Sequence, residues 1–219
     1  MAVPNLDHLF SDIHDLPPAL QLADWRCRIA QLYSELREHS EPYLAWRHWR
    51  ATRDLLACHH PQSPVIGRLI GARLYRYFDY APELRFEVGT REISDPQCVE
   101  IDCGPDGRIV LESWAKTDGL ADALGAELTL FWIQAYGGGI FLPFRDATSG
   151  TASYGGGRYL LDTIKGADLG TRNGRLILDF NFAYNPSCCY SSRWTCPLAP
   201  AENRLDVAIT AGERDFSCA

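Results

Sequence analysis

The strongest constraint on this fold is a change of rhythm near residue 68. Upstream of it, apolar residues recur at helical spacing; downstream they come in short runs of Val, Ile, Leu, Tyr and Phe separated by turn residues. A 3.6-residue period and a 2-residue period bury their apolar faces differently, so the two parts must build different elements. Strands are expected near 69–78, 83–89, 97–103, 107–116, 126–135, 139–146, 151–162, 175–182 and 204–211. Leu128, Leu130 and Trp132 alternate with Glu127, Thr129 and Phe131, which gives one apolar and one mixed face. The clearest hairpin is Cys98 to Trp114, where Gly104-Pro105-Asp106-Gly107 supplies the turn. So many short strands in succession favour an antiparallel barrel or a two-layer sandwich. The barrel is preferred because closure removes exposed edges.

Upstream, Leu22, Trp25, Ile29, Leu32, Tyr33 and Leu36 predict an amphipathic helix over about 20–38. Ser40, Glu41 and Pro42 start a second, carried by Leu44, Trp46, Trp49, Leu55 and Leu56 to about residue 58. The tryptophans read as core packing, and Arg47, His48, Arg50 and Arg53 as a solvated face. The fold class is therefore α+β and β-rich. An irregular segment covers 1–18, a helical hairpin 19–64, and an antiparallel β domain 65–219, with the hairpin closing one end of the barrel or covering one side. Glycines in Tyr136–Gly139 and Tyr154–Gly157 mark bulges, bends or close approach of another backbone or a ligand rather than an internal repeat.

Charge and composition exclude some partners. A chain of 219 residues with 46% hydrophobic content can bury a sizeable core. Its formal net charge of -7 argues against nucleic acid, whose backbone is held by clustered Lys and Arg. The N-terminus has no basic segment followed by an apolar run, and no stretch approaches the roughly 18 to 20 apolar residues of a membrane helix. The expectation is a cytoplasmic protein without a membrane partner. Eight cysteines are many for a reducing compartment. Those in helices and strands read as small buried hydrophobes, and the group Cys188, Cys189 and Cys196 stands apart.

That group lies in Asp179–Asn203, a proline-punctuated stretch dense in acids, asparagines and tyrosines that suits a held loop. With LPFRDATSGTASYGGGRYL upstream, it forms the candidate site. The runs LPFRDATSGTASYGGGRYL, LDFNFAYNPSCCYSSRWTCPLAPAENRL and the closing AGER resemble the bacterial and archaeal group known as domain of unknown function 1684. The resemblance is strong over about 140–214 and looser over the two helices and the Ser63-Pro64 step. It implies a roughly chain-length domain, a site in these segments and no assigned activity. The family's loop has two cysteines, which fall on Cys188 and Cys196, whereas Cys189 stands where another residue is often found.

Three chemistries fit. Cys188 becomes a nucleophile for hydrolysis or acyl transfer if a cation or His lowers its pKa, but every histidine lies in the first part of the chain. A zinc site could use Cys188, Cys189 and Cys196 with His59 or His60, or with Cys98 and Cys103. The spacing is poor, with no C-x-x-C, so no metal ligands and no cofactor are assigned. A Cys188 to Cys196 disulfide or close thiol pair is the other possibility for these residues.

The third chemistry is a polar pocket for a small anionic molecule, walled by the 144–159 hairpin and roofed by 179–203. Arg145 and Arg158 would anchor the anion, and Tyr154, Asn181, Tyr184, Asn185 and Asn203 would line the pocket. Asp146 and Asp179 would serve as an acid/base pair beside Cys188. The alternative is that the acids and asparagines satisfy backbone groups of a buried loop, leaving a non-catalytic interaction module with a cysteine-stapled loop.

Overall fold

The computed structural model describes residues 10–65, 75–104 and 107–216. The chain divides into two compact units, Met1–Leu74 and Tyr75–Ala219.

In the first unit a single helical turn, α1 (Ser11–His14), precedes two long helices, α2 (Pro18–Glu38) and α3 (Pro42–His59). Both long helices open on proline, whose fixed φ and missing N–H suit a first turn. The hairpin is sewn along its seam. Leu32, Tyr33 and Leu36 are buried on α2, and Ala45, Trp46, Trp49, Leu56 and Ala57 on α3. Trp49 Nε1 donates to Tyr33 Oη at 3.2 Å. The guanidinium carbons of Arg50 and Arg53 lie over the Trp46 and Trp49 rings at 4.5 and 4.8 Å, and this pair is half-buried, while Arg47 and His48 are exposed.

His60 ties the end of α3 back to α2. It is fully buried, accepts from Gln62 N through Nδ1 at 3.1 Å and faces Asp24 Oδ2 through Nε2 at 3.1 Å. The backbone donor at Nδ1 fixes the neutral tautomer that donates from Nε2. Burial lowers the His60 pKa below 6.5, against the pull of Asp24. Below that pH the unfolded chain binds a proton that the folded chain refuses, so stability falls as pH drops through 6.5 toward the folded value. Melting temperature is therefore expected to fall on mild acidification, with a shallower slope in His60→Gln. Equal slopes would remove His60 from the account.

The second unit is an antiparallel sheet that curls into a half-barrel. Its strands are β1 (Arg85–Glu92), β2 (Cys98–Asp102), β3 (Arg108–Asp118), β4 (Thr129–Gln134), β5 (Gly139–Phe144), β6 (Arg158–Asp162), β7 (Thr171–Arg172) and β8 (Arg175–Asp179). The order is β6-β5-β4-β3-β1-β8-β7, with β2 paired to β3. A short helix, α4 (Ala121–Leu124), follows β3. β1 gives Arg85–Val88 to β8 and Gly89–Glu92 to β3, and so carries the sheet round its curve. Register shifts at Ser113/Ala115 and Leu142/Pro143 add to the bend. The expected α+β architecture, with N-terminal helices and a curled antiparallel sheet, is the one observed.

Two apolar clusters cover the two faces. Val88, Ala115, Leu130, Leu142, Phe144, Leu178 and Phe180 belong to one, and Leu111, Phe131, Ile133, Phe141 and Tyr159 to the other. The face of β4 read as mixed is thus packed at Phe131, while Trp132 on the other face is exposed.

Several expected strands differ. The run 69–78 lies largely outside the described residues. Within 151–162 only Arg158–Asp162 is strand, because Thr148–Gly157 folds into tight turns. Gly157 explains one of them: its φ is +92°, and a Cβ there would lie 2.6 Å from Phe144 O. The run 204–211 is irregular, with a single bridge at Arg204. Its peptide groups are taken by the backbone of Arg145 and Ala147 and by the side chains of Asp146 and Arg158.

Candidate functional site

Most of the polar residues expected to line a pocket are tied into the scaffold. Asp146 is buried, and its carboxylate accepts from Thr148 N at 3.1 Å, Thr148 Oγ1 at 2.8 Å, Ile209 N at 2.8 Å and Arg158 Nη2 at 3.2 Å. Arg158 has no exposure at all. It also donates to the carbonyls of Ile209 at 2.9 Å and Glu213 at 3.2 Å, and to that of Ala211. The Phe144 and Phe78 rings lie 5.1 and 5.8 Å from its guanidinium carbon. This ion pair fastens the chain end to β6, and its polar capacity is nearly used up.

The asparagines act as peptide mimics. Asn181 pairs with both backbone groups of Ala81, accepting from its N and donating to its O, each at 2.8 Å. Asn203 accepts from Thr129 N at 2.7 Å and donates to Thr129 O and Pro143 O, both at 2.8 Å. Asn203→Ala would leave those three backbone groups without partners at a fully buried position, so a loss of about 2 kcal/mol is expected in denaturant unfolding. Asn185 donates to Glu213 Oε2 through its backbone and to Arg214 O at 2.8 Å through Nδ2, leaving Oδ1 buried and unpartnered.

Asp179 caps the 3-10 turn Phe180–Phe182, accepting from Asn181 N at 3.0 Å, and takes Arg85 Nη1 at 3.1 Å. Burial raises its pKa despite Asn181 and Arg85. Asp146 and Asp179 thus sit in separate networks, not as one acid/base pair. Tyr184 bridges Tyr159 by backbone and packs edge-on to its ring at 5.7 Å.

What remains chemically available is smaller. The loop does cover the 144–159 hairpin: Tyr159 Oη donates to Pro197 O at 2.6 Å, and Ala199 N reaches Gly156 O at 3.4 Å. Between them, Tyr154 Oη lies 3.7 Å from Cys188 Sγ. Cys188 sits in the 3-10 turn Ser187–Cys189, half-buried, and Cys196 is the neighbour that acts most strongly on its thiol. Hydrogen bonding from Cys196, then from Tyr154 and the Cys188 N–H, pulls the Cys188 thiol down from 9.0 to about 7, against burial.

The partners move the opposite way. Cys196 is held protonated by its bond to Cys188 and by burial, and Tyr154 by burial and by Cys188. Burial pushes the Cys189 thiol up to about 12, against the pull of the Phe216 N–H. Among the described residues no three His, Cys, Asp or Glu side chains are arranged to hold a metal. Arg145 is exposed and donates to Gly155 O, one residue beyond Tyr154.

The site as it stands is therefore Cys188, Cys196 and Tyr154, with Arg145 at its rim. Cys196 was legible as a possible partner thiol, but not as the group that acidifies Cys188. Glu213 was not singled out at all, although AGER carried it. It is fully buried, accepts from Tyr190 Oη at 2.9 Å and from Asn185 N, and pins the loop to the chain end.

Comparison with known proteins bears on the same segments. The family described as protein of unknown function (DUF1684) matches residues 73–214, which hold the whole half-barrel and every residue of this site. The chain belongs to the DUF1684 family. A solution NMR structure of an uncharacterised protein from Haloarcula marismortui is similar, at 32% identity and a TM-score of 0.52, over 78% of this chain and 92% of that one. Among curated proteins nothing matches. For this DUF1684 chain no activity comes with the family. No helix among its described residues is long and apolar enough to cross a membrane.

Proposed function

We propose that this chain uses Cys188 as a thiolate nucleophile on a small molecule, in hydrolysis or acyl transfer. One observation carries the reading: a half-buried thiol with the Tyr154 hydroxyl 3.7 Å from its sulfur, a neighbourhood in which Cys188 is pulled down while Tyr154 and Cys196 are pushed up. Such a division of roles supplies both a nucleophile and a proton donor. The Cys188 sulfur forms a bond to an acyl carbon, and the bond to the leaving group breaks as that group takes a proton from Tyr154 or Cys196. Water or a second nucleophile then cleaves the thioester and returns the proton. Arg145 places positive charge at the rim, which favours an anionic substrate.

The test is acylation of the intact protein by an activated aryl ester. One equivalent of aryl alcohol should be released in a burst, with the acyl group found on Cys188 by mass spectrometry. Cys188→Ser should abolish the burst and Cys189→Ser should keep it. Acylation spread over the exposed thiols Cys27, Cys58 and Cys98 would overturn the proposal. The second reading, a non-catalytic module with a cysteine-held loop, draws on the scaffold roles of Asp146, Asp179, Asn181 and Asn203. It expects Cys188→Ser to lower the melting temperature and no burst at any pH.

A further inference from the structure

The anion anchors expected at Arg145 and Arg158 leave a different pair of arginines with spare donors. Tyr77 and Glu213 form an antiparallel bridge, flanked by Arg214 N to Arg76 O at 2.8 Å and Phe78 N to Gly212 O at 2.9 Å. That register sets Arg76 directly opposite Arg214, and alternation puts Phe78 on the same face. The Arg214 guanidinium carbon lies 5.3 Å from the centre of the Phe78 ring.

Like charges rooted directly opposite each other on paired segments repel unless something neutralises them. Other inward-reaching arginines of this unit have carboxylates: Arg158 has Asp146, and Arg85 has Asp179. Neither Arg76 nor Arg214 has an ion pair or a side-chain hydrogen bond among the described residues, and Arg76 Nη1 and Arg214 Nε are buried without acceptors. Nearby acids do not serve them. Asp146 is held by Arg158, while Glu213, and by alternation Asp215, leave the opposite face of the bridge. Glu213 is occupied there by Asn185 N and Tyr190 Oη. A buried guanidinium N–H calls for an acceptor, and an oxyanion offers several together with the missing negative charge.

We propose that Arg76 and Arg214 form a binding site for the oxyanion group of a small molecule, a phosphate or a carboxylate, held between the two guanidiniums beside Phe78. This site is independent of the thiol chemistry at Cys188. It is assembled from the two ends of the β unit, so occupation would also strengthen the closure of the chain end.

The experiment is the melting temperature of the full chain titrated with inorganic phosphate, and separately with acetate, against sodium chloride at matched ionic strength. A saturable rise of a few degrees with one of the oxyanions, absent in both Arg76→Gln and Arg214→Gln, is the expected result. The oxyanion that gives the larger rise identifies the chemistry. No rise beyond the chloride control, or a rise unchanged in both variants, overturns the proposal. Should either variant fail to fold, the Arg214 Nε–H resonance of the wild-type protein decides. It should move saturably with the oxyanion, and a resonance that follows ionic strength alone rejects the site.

Discussion

Asp146→Ala is expected to destabilise the protein by about 3–5 kcal/mol, because it leaves the Arg158 charge buried and without its counter-ion. The carbonyls of Ile209, Ala211 and Glu213 would still accept from the guanidinium, but carbonyl dipoles do not replace a carboxylate in a buried site. Against a total stability of about 5–15 kcal/mol for a domain, that loss is large enough to unfold a fraction of the chain. The converse change is predicted to be gentler than the sum suggests. Arg158→Met removes one charge, Asp146→Ala the other, and the double variant should be less destabilised than the two singles added together, since neither orphan charge survives. Urea unfolding of the four proteins measures the cycle. A loss below about 1 kcal/mol for Asp146→Ala would mean that water reaches the pair.

Cys196→Ala is expected to move the ionisation of Cys188 from about 7 back toward 9.0, since the strongest cause of the acid thiol is the Cys196 hydrogen bond. If the full shift is lost, the thiolate fraction at neutral pH falls from about one half to about one hundredth, roughly 50-fold. Reactivity falls less. A more basic thiolate is intrinsically more nucleophilic, with a Brønsted slope of about 0.4–0.5, which returns about eightfold and leaves a net loss of about sixfold in alkylation rate. The midpoint of the pH–rate curve is therefore the sharper readout. Tyr154→Phe should move it in the same direction by less, because Tyr154 is the weaker of the two hydrogen bonds acting on Cys188. A midpoint unchanged in both variants would leave the acid thiol without a cause.

How much of this was legible depended on the distance over which each residue acts. Pro18 and Pro42 act on the turn they begin, and the two helices fell close to their expected bounds. The Cys98–Trp114 hairpin was legible for the same reason, through Gly104 and Gly107 with φ of +61° and +86°. The run Val207-Ala208-Ile209 reads as a strand, yet Ile209 N goes to Asp146 and Ile209 O to Arg158. No local pattern announces a backbone that pairs with side chains from another element.

The candidate site shows the same division. The acid and asparagine stretch was recognisable as unusual, but its use was not. Asn181 finds its partner at Ala81 and Asn203 at Thr129, separations over which periodicity says nothing. Their hydrogen bonds go mostly to backbone outside the loop, at Ala81, Thr129, Pro143 and Arg214, and so tie the loop to other elements. Arg76 lies at the start of the β unit and Arg214 at its end, and only the Tyr77–Glu213 bridge brings them together.

Nucleophilic chemistry at Cys188 requires the thiol to carry its charge near neutrality, and ultraviolet titration of the thiolate tests this most directly. The absorbance difference between wild-type protein and Cys188→Ala should rise with a midpoint near pH 7 under reducing conditions. A difference midpoint at or above 9.0, the value of an ordinary thiol, would contradict it.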